Sequence, residues 1–266
     1  MSNPEFPDEV DRERPSVARL YDYFLGGTRN FAADRELARE LLLVEPNARY
    51  IAAENRAFLG RAVRYLLCAG IRQFIDLGSG IPTQENVHEI ALNGNPEARV
   101  VYVDNDPVAV AHSKHILGDN ANAAVIEADI RDPGSVIDHP LVASLIDFSE
   151  PVGLLMVTVL QFVPDRDDPV GVCGKFASVL ASGSYLAISH AIDEAAPGAA
   201  AQSRDLYNKA TASAHIRTRA EIMRFFGGFD LVKPGLVYLP LWRPDGGQPD
   251  HPELAWIHAG VGRKTS

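Results

Sequence analysis

Cysteine, methionine and tryptophan are scarce in this chain, which carries two, three and two of them among 266 residues. The two cysteines, Cys68 and Cys173, lack the spacing of a metal site or of a disulfide framework, so we interpret both as core thiols. Basic residues are fewer than acidic ones, 25 against 35, and the formal net charge is −10. This balance argues against a broad basic surface for nucleic acid and favours a small-molecule substrate.

Long apolar runs are also missing. No stretch approaches the roughly 20 apolar residues that cross a bilayer, and the first residues contain no apolar signal segment. We therefore expect a cytoplasmic protein with no membrane partner. Hydrophobic residues make up 46% of the chain, which is enough for one substantial core. We predict a flexible leader over residues 1–14 and a single domain over 15–266, divided into a helical cap (15–70) and a core (71–266).

Strand and helix patterns alternate from residue 72 onward, which is typical of a parallel sheet with crossover helices. The predicted strands cover residues 73–77, 100–104, 124–128, 153–158 and 184–189, and the predicted helices 83–92, 107–117, 135–146 and 169–180. Two further apolar runs, 229–232 and 234–239, follow each other without a helix between them. Direct connections favour antiparallel pairing, so these runs predict a closing hairpin.

A glycine turn follows the first predicted strand, in the run from Phe74 to Gly80 with the sequence FIDLGSG. Asp104 ends the next strand, about 20–25 residues later, which is the spacing at which an acid reaches a ribose diol. The pair predicts a nucleoside-bearing cofactor. A dinucleotide site requires a third Gly or Ala where this chain has Thr83, so the dinucleotide fingerprint is broken.

These motifs resemble the first two motifs of the class I S-adenosylmethionine-dependent methyltransferases. Over most of its length the chain is similar to an actinobacterial group of such enzymes that was long catalogued as a domain of unknown function. The runs that carry this resemblance are residues 21–31, 55–59, 81–83, 101–107 and 129–133. The resemblance implies an α/β fold with a doubly wound, Rossmann-like sheet of seven strands, five of them parallel and two in a C-terminal antiparallel hairpin. It also implies S-adenosyl-L-methionine as the cofactor and a small-molecule methyl acceptor as the partner.

The resemblance also implies roles for individual residues of the cofactor site. The turn formed by Gly78, Ser79 and Gly80 would lie under the methionine part of the cofactor, and Asp104 would bind the ribose hydroxyls. At the end of the third strand, Asp129 would accept a hydrogen bond from the adenine amine and Ile130 would pack on the ring.

Five other residues are candidates for the site, and most of them also have a purely structural interpretation. Asn105 would touch the adenosine from the turn after the second strand. Gln161, after the fourth strand, would border cofactor and substrate, with an exposed loop amide as the alternative. Arg56 would hold the cofactor carboxylate by paired hydrogen bonds, with a surface salt bridge as the alternative. Tyr21 belongs to an aromatic segment that would cover the cofactor or pack as core. His190, after the fifth strand, would act as a base or serve as a hydrogen-bonded structural residue.

We interpret the chain as a methyltransferase that acts on an unidentified small molecule by in-line methyl transfer. Two alternatives stay open at this point: a non-catalytic regulator that binds S-adenosylmethionine, and an NAD-dependent oxidoreductase. The aromatic N-terminal segment would also suit contact with a second subunit, so a homodimer is a further expectation. No metal-ligand cluster stands out in the sequence.

Overall fold

Eight strands form one sheet in a computed structural model that describes residues 10–82, 85–192, 202 and 205–265. Thr83 and most of the predicted leader lie outside the described residues. The strands are β1 Gln73–Leu77, β2 Arg99–Asp104, β3 Ala123–Glu127, β4 Gly153–Val157, β5 Tyr185–Ala191, β6 Phe229–Leu231, β7 Val237–Tyr238 and β8 Ile257–Lys264. Their order is β3-β2-β1-β4-β5-β8-β6, with β7 also paired to β8. Strands β1 to β5 are parallel, as predicted.

Nine α-helices with defined bounds lie among the described residues and accompany the sheet. They are α1 Val17–Phe24, α2 Ala32–Val44, α3 Ala48–Cys68, α4 Val87–Gly94, α5 Pro107–Leu117, α6 Pro133–Ile137, α7 Pro140–Leu145, α8 Pro169–Val179 and α9 Arg219–Arg224. The single helix predicted over 135–146 is two helices, because Pro140 starts a new one at its first turn. None of the described helices has the length and apolar character to cross a membrane.

The C-terminal part of the sheet is antiparallel, as predicted, but the sheet has eight strands instead of seven and the predicted hairpin does not form. Strands β6 and β7 do not pair with each other; both lie antiparallel to β8, along the edge that β5 leaves free. Between them, Pro234 offers no backbone N–H and Gly235 turns the chain at φ +94°, so pairing with β8 is interrupted. Strand β8 has eight residues, which is long enough to pair with two short strands side by side along its length. The sheet therefore has eight strands.

The two faces of the sheet are buried by different helices. Side chains alternate along a strand, so Ile75 and Leu77 pack in one cluster with α8, while Phe74 packs in another with α3. A third cluster joins α1, α2 and α3, through Leu20, Leu37 and Ala52. The three N-terminal helices therefore have a core of their own beside the carboxyl ends of the parallel strands.

Candidate functional site

A cavity of about 730 Å³ lies where the carboxyl ends of the parallel strands meet the N-terminal helices. Its volume is within the range of small-molecule sites, and its position is the usual one for ligands of open α/β sheets. Ten of the eleven residues predicted for the site line this cavity: Tyr21, Arg56, Gly78, Ser79, Gly80, Asp104, Asn105, Asp129, Ile130 and Gln161. Among the described residues that line it, His190 is not present.

The turn after β1 has the conformation that its glycines allow. Gly78 and Gly80 both have positive φ, +71° and +67°. A Cβ on Gly78 would lie 2.3 Å from Val159 Cγ2, whereas a Cβ on Gly80 would meet nothing within 4 Å. The hydroxyl oxygen of Ser79 is buried and has no hydrogen-bond partner among the described residues. The turn thus leaves open space beside Gly80 and one polar atom without a partner, which fits a bound ligand.

Asp104 supports this turn from the end of β2. Its Oδ2 accepts a hydrogen bond from the Gly80 N–H at 2.7 Å, and its Oδ1 accepts one from the Asp106 N–H at 2.8 Å. Burial raises the pKa of Asp104 to about 6, although these backbone hydrogen bonds act in the opposite direction. Asp106 caps α5 by accepting from the Val108 N–H at 2.8 Å. Asp104 therefore supports the glycine turn, whereas Asp106 caps α5.

Asp76 is a cavity residue that the prediction did not select, although it is the acid of the glycine motif. It is buried at 3% exposure in β1, and burial raises its pKa to about 7, while the Arg56 charge lowers the pKa and the Asp104 charge raises it. Arg56 also lines the cavity, and its Nη2 donates to Asn86 Oδ1 at 2.9 Å. The cavity floor therefore has two buried carboxyl groups and one guanidinium nearby.

At the end of β3, the Asp129 carboxylate is paired with Arg131. Arg131 Nε donates to both carboxylate oxygens, at 3.0 and 2.9 Å, and its Nη1 reaches Asp167 Oδ2 at 3.3 Å. The hydrogen bonds from Arg131 lower the pKa of Asp129, so this group is ionised and able to accept from a ligand amine. Ile130 is buried beside it at 7% exposure, and Asn105 is exposed at the cavity rim.

Asn55 joins the helical cap to the sheet in the middle of the cavity wall. Its Nδ2 donates to the Tyr21 hydroxyl and to Thr158 Oγ1, both at 3.0 Å, and its Oδ1 accepts from Ser189 Oγ at 2.6 Å. Thr158 follows β4 with φ +53°, a conformation that is uncommon in residues other than glycine and clusters at functional sites. No local pattern in the sequence indicates this network, because its members come from four separate segments of the chain.

The start of α1 is bonded to two acids, Asp106 after β2 and Asp34 in α2. The Ser16 hydroxyl donates to Asp106, and the Ser16 N–H donates to Asp34 Oδ1 at 2.9 Å. Asp34 also pairs with the buried Arg19 guanidinium at 2.8 Å. These contacts hold α1 against the cavity, where Tyr21 contributes to the wall.

His190 lies in β5 behind the cavity wall and is fully buried. Arg217 Nη1 donates to its Nε2 at 2.9 Å, and since an arginine cannot accept, Nδ1 carries the proton and donates to the Ala191 carbonyl at 2.7 Å. Burial lowers the pKa of His190 to about 3, and the Arg217 charge acts in the same direction. The structure therefore does not bring His190 together with the other candidates. Gln161, by contrast, reaches the cavity and accepts from the Ala191 N–H at 3.1 Å.

Comparisons with known proteins show what the whole chain is similar to. A family model described as S-adenosyl methyltransferase matches residues 3–265. The structure is similar to that of a candidate methyltransferase from Thermobifida fusca, with 42% identity, 98% of each chain covered and a TM-score of 0.92. It is also similar to a DUF574 family protein from Streptomyces avermitilis, with 39% identity, 96% and 99% covered, and a TM-score of 0.92.

A more distant likeness concerns the fold alone. The N-methyltransferase NodS from Bradyrhizobium japonicum, solved in complex with S-adenosyl-L-homocysteine, is 16% identical to this chain. The two structures have a TM-score of 0.50, with 87% of this chain and 98% of NodS covered. No curated protein sequence matches the chain.

Proposed function

Because the chain belongs to the S-adenosyl methyltransferase family, whose cofactor is S-adenosyl-L-methionine and whose fold is class I, we propose that it transfers a methyl group to a small molecule bound in this cavity. The observation that carries the proposal is the turn at Gly78–Gly80. It combines open space beside Gly80, an unpartnered Ser79 hydroxyl and the Asp104 carboxylate within one cavity. When bound, the cofactor supplies a methyl group activated by its sulfonium.

The adenosine end of the cofactor would contact residues at the ends of β2 and β3. Asp104 binds the ribose hydroxyls, and Asp129 accepts from the adenine amine while Ile130 packs on the ring. Asn105 lines the adenosine from the rim. These assignments are supported by the positions of the four residues at the ends of β2 and β3, on neighbouring strands that open into the cavity.

The methionine end of the cofactor would lie over the glycine turn. Arg56 would hold its carboxylate by charge-assisted hydrogen bonds. Tyr21 and Gln161 would close the wall around the reacting centre, Tyr21 from the helical cap and Gln161 from the segment after β4. A cap that excludes water and orients two reactants supports in-line methyl transfer, which gains chiefly from positioning.

We do not retain His190 as a catalytic base in this proposal, because its two ring nitrogens are occupied and it is buried outside the cavity lining. Its role is structural: it holds Arg217, whose Nη2 donates to the Val163 carbonyl at 2.7 Å. The reaction therefore relies on orientation of the acceptor. The comparisons favour neither the oxidoreductase nor the non-catalytic regulator.

The experiment that tests the proposal is calorimetric titration with S-adenosylmethionine, S-adenosylhomocysteine and NAD in parallel. We expect the first two to bind and NAD not to bind. Asp104→Ala should weaken binding of S-adenosylhomocysteine about 100-fold, because two hydrogen bonds to a carboxylate are lost. Asp119→Ala removes a carboxylate from an exposed position after α5 and should leave the affinity unchanged. Binding of NAD alone, or a wild-type affinity of Asp104→Ala, would contradict the proposal.

A further inference from the structure

The cavity has a second end, remote from the glycine turn. Trp256 immediately precedes β8, and the sheet order β1-β4-β5-β8 places it three strands from β1. Adjacent strands are about 4.8 Å apart, so this end lies roughly 14 Å from the turn along the sheet. Phe24, Leu41, Glu45, Tyr207 and Trp256 line it, and we name these five residues the distal pocket.

The walls of the distal pocket are apolar and aromatic. Phe24 and Leu41 belong to the hydrophobic cluster of the N-terminal helices, against which Tyr207 packs. The Tyr207 ring also lies 6.0 Å from the ring of Phe162, centroid to centroid. Burial raises the pKa of Tyr207 to about 12, with a smaller effect from the Glu45 charge, so its hydroxyl is protonated beside Glu45. A planar apolar ligand fits such walls.

Glu45 introduces one negative charge into these apolar surroundings. Its carboxylate follows the last turn of α2, where Oε1 accepts from the Asn47 N–H at 2.9 Å. Burial raises the pKa of Glu45, and the groups that oppose this effect, Asn47 and Trp256, are both uncharged. Within the described part of the chain, no salt bridge compensates this carboxylate. A half-buried charge without a counter-charge is costly, and a cationic ligand removes that cost.

Trp256 adds an indole to the same wall. Its buried nitrogen lies close enough to the Glu45 carboxylate to lower the pKa of Glu45, although among the described residues it makes no hydrogen bond of normal geometry. The indole N–H and the carboxylate are therefore neighbouring polar groups in walls that are otherwise apolar and aromatic.

We propose that the distal pocket binds the methyl acceptor and that Glu45 selects a planar aromatic molecule carrying a basic amine. The amine donates to the Glu45 carboxylate, and the ring lies among Phe24, Tyr207 and Trp256, where an aromatic cage also favours a cation. This inference rests on the proposed function, since it takes the other end of the cavity to hold the cofactor. It concerns binding and selection, and Glu45 is a specificity residue.

The test uses three probes that share a phenyl ring and a short chain: phenethylamine, 2-phenylethanol and 3-phenylpropionate. Each is titrated calorimetrically into the full chain saturated with S-adenosylhomocysteine. Phenethylamine should bind at least about tenfold more tightly than 2-phenylethanol, because a charge-assisted hydrogen bond replaces a neutral one. 3-Phenylpropionate should bind most weakly, since it brings a second negative charge to Glu45.

Glu45→Gln should remove the preference for the amine while leaving the affinity for S-adenosylhomocysteine unchanged. Its amide oxygen can still accept from the Asn47 N–H, so the end of α2 keeps its hydrogen bond. Glu36→Gln is the matched control, because it removes the same charge from an exposed position on the same helix. It should keep the tenfold preference.

Tryptophan fluorescence gives a second, independent measurement. The chain has two tryptophans, and Trp242 is fully buried in the core beside Phe58, at a centroid distance of 5.3 Å. A change in emission on addition of phenethylamine therefore reports on Trp256, and it should disappear in Trp256→Phe.

Three results would overturn the inference: equal affinity for the three probes, an amine preference that survives Glu45→Gln, or no binding of any probe to the loaded protein. Each of them leaves the proposed function standing if S-adenosylhomocysteine itself binds. Failure of S-adenosylhomocysteine to bind would instead contradict the proposed function, so the two failures are distinguishable.

Discussion

Replacing Gly80 by alanine separates the role of the glycine turn in folding from its role in binding. Gly80 has φ +67°, and an alanine there carries the cost of a left-handed conformation, about 1–2 kcal/mol of unfolding free energy. No further steric cost arises within the protein, because a Cβ would meet no atom within 4 Å. Gly228 is a matched control: it has φ +82°, its Cβ would also meet nothing, and it is exposed in the turn before β6.

The two variants should differ in ligand binding. The methyl group of Gly80→Ala would stand in the open space of the cavity, where we place the methionine part of the cofactor. Overpacking of a fitted site costs about 1–3 kcal/mol, so the affinity for S-adenosylhomocysteine should fall about ten- to hundredfold. Gly228→Ala should keep the wild-type affinity while losing a similar amount of stability.

Denaturant unfolding and calorimetric titration of the two variants would measure both quantities. The reasoning is refuted if Gly80→Ala binds S-adenosylhomocysteine as tightly as Gly228→Ala does. It is also refuted if Gly80→Ala loses far more than about 2 kcal/mol of stability, since that would mean that the space beside Gly80 is filled in the folded protein.

The remaining predictions concern the neighbouring positions of the same motif. Gly78→Ala should lower the unfolding free energy by about 2–5 kcal/mol, because left-handed strain adds to a Cβ placed 2.3 Å from Val159 Cγ2; denaturant unfolding showing no greater loss than Gly80→Ala would contradict this. Burial raises the pKa of Asp76 to about 7, so between pH 4 and 7 the unfolded chain releases a proton that the folded protein retains, and stability falls as pH rises. Asp76→Asn should remove up to about 1.4 kcal/mol per pH unit of that fall. Unfolding free energies of the variant that decline between pH 5 and 8 as steeply as those of the wild type would contradict the assignment.

Where the sequence carries explicit start and stop signals, the predicted elements agree with the structure. Strand β1 covers residues 73–77 as predicted, because Gly78 ends it with a positive φ. Helix α5 covers 107–117 as predicted, since Asp106 caps it, Pro107 begins it and Gly118 follows it. The C-terminal strands lack such signals. Whether two short runs pair with each other or with a third depends on the length of β8, which lies about 20 residues further along the chain.

His190 shows a second limit of local reasoning. Its place at the end of a parallel strand suggested access to the site, and that rule holds for Asp104 at the end of β2. In β5, however, Arg217 follows 27 residues later and its guanidinium covers the ring. The isolated bridge between Ile192 and Arg217 brings that segment alongside the end of β5. A partner so remote leaves no periodic signal near the histidine.

The two ends of the cavity differ in how the sequence encodes them, which explains why the sequence predicts only the end at the glycine turn. The end where we place the cofactor consists of residues at strand ends, so a motif of seven residues and one downstream acid predict it. The distal pocket joins Phe24 from α1, Glu45 from the end of α2, Tyr207 and Trp256, which no local spacing connects. Only packing of the N-terminal helices against the ends of β5 and β8 brings them together. If the distal pocket binds the acceptor, as we propose, the choice of acceptor is a property of tertiary structure, and changes at Glu45 should alter it without changing the cofactor.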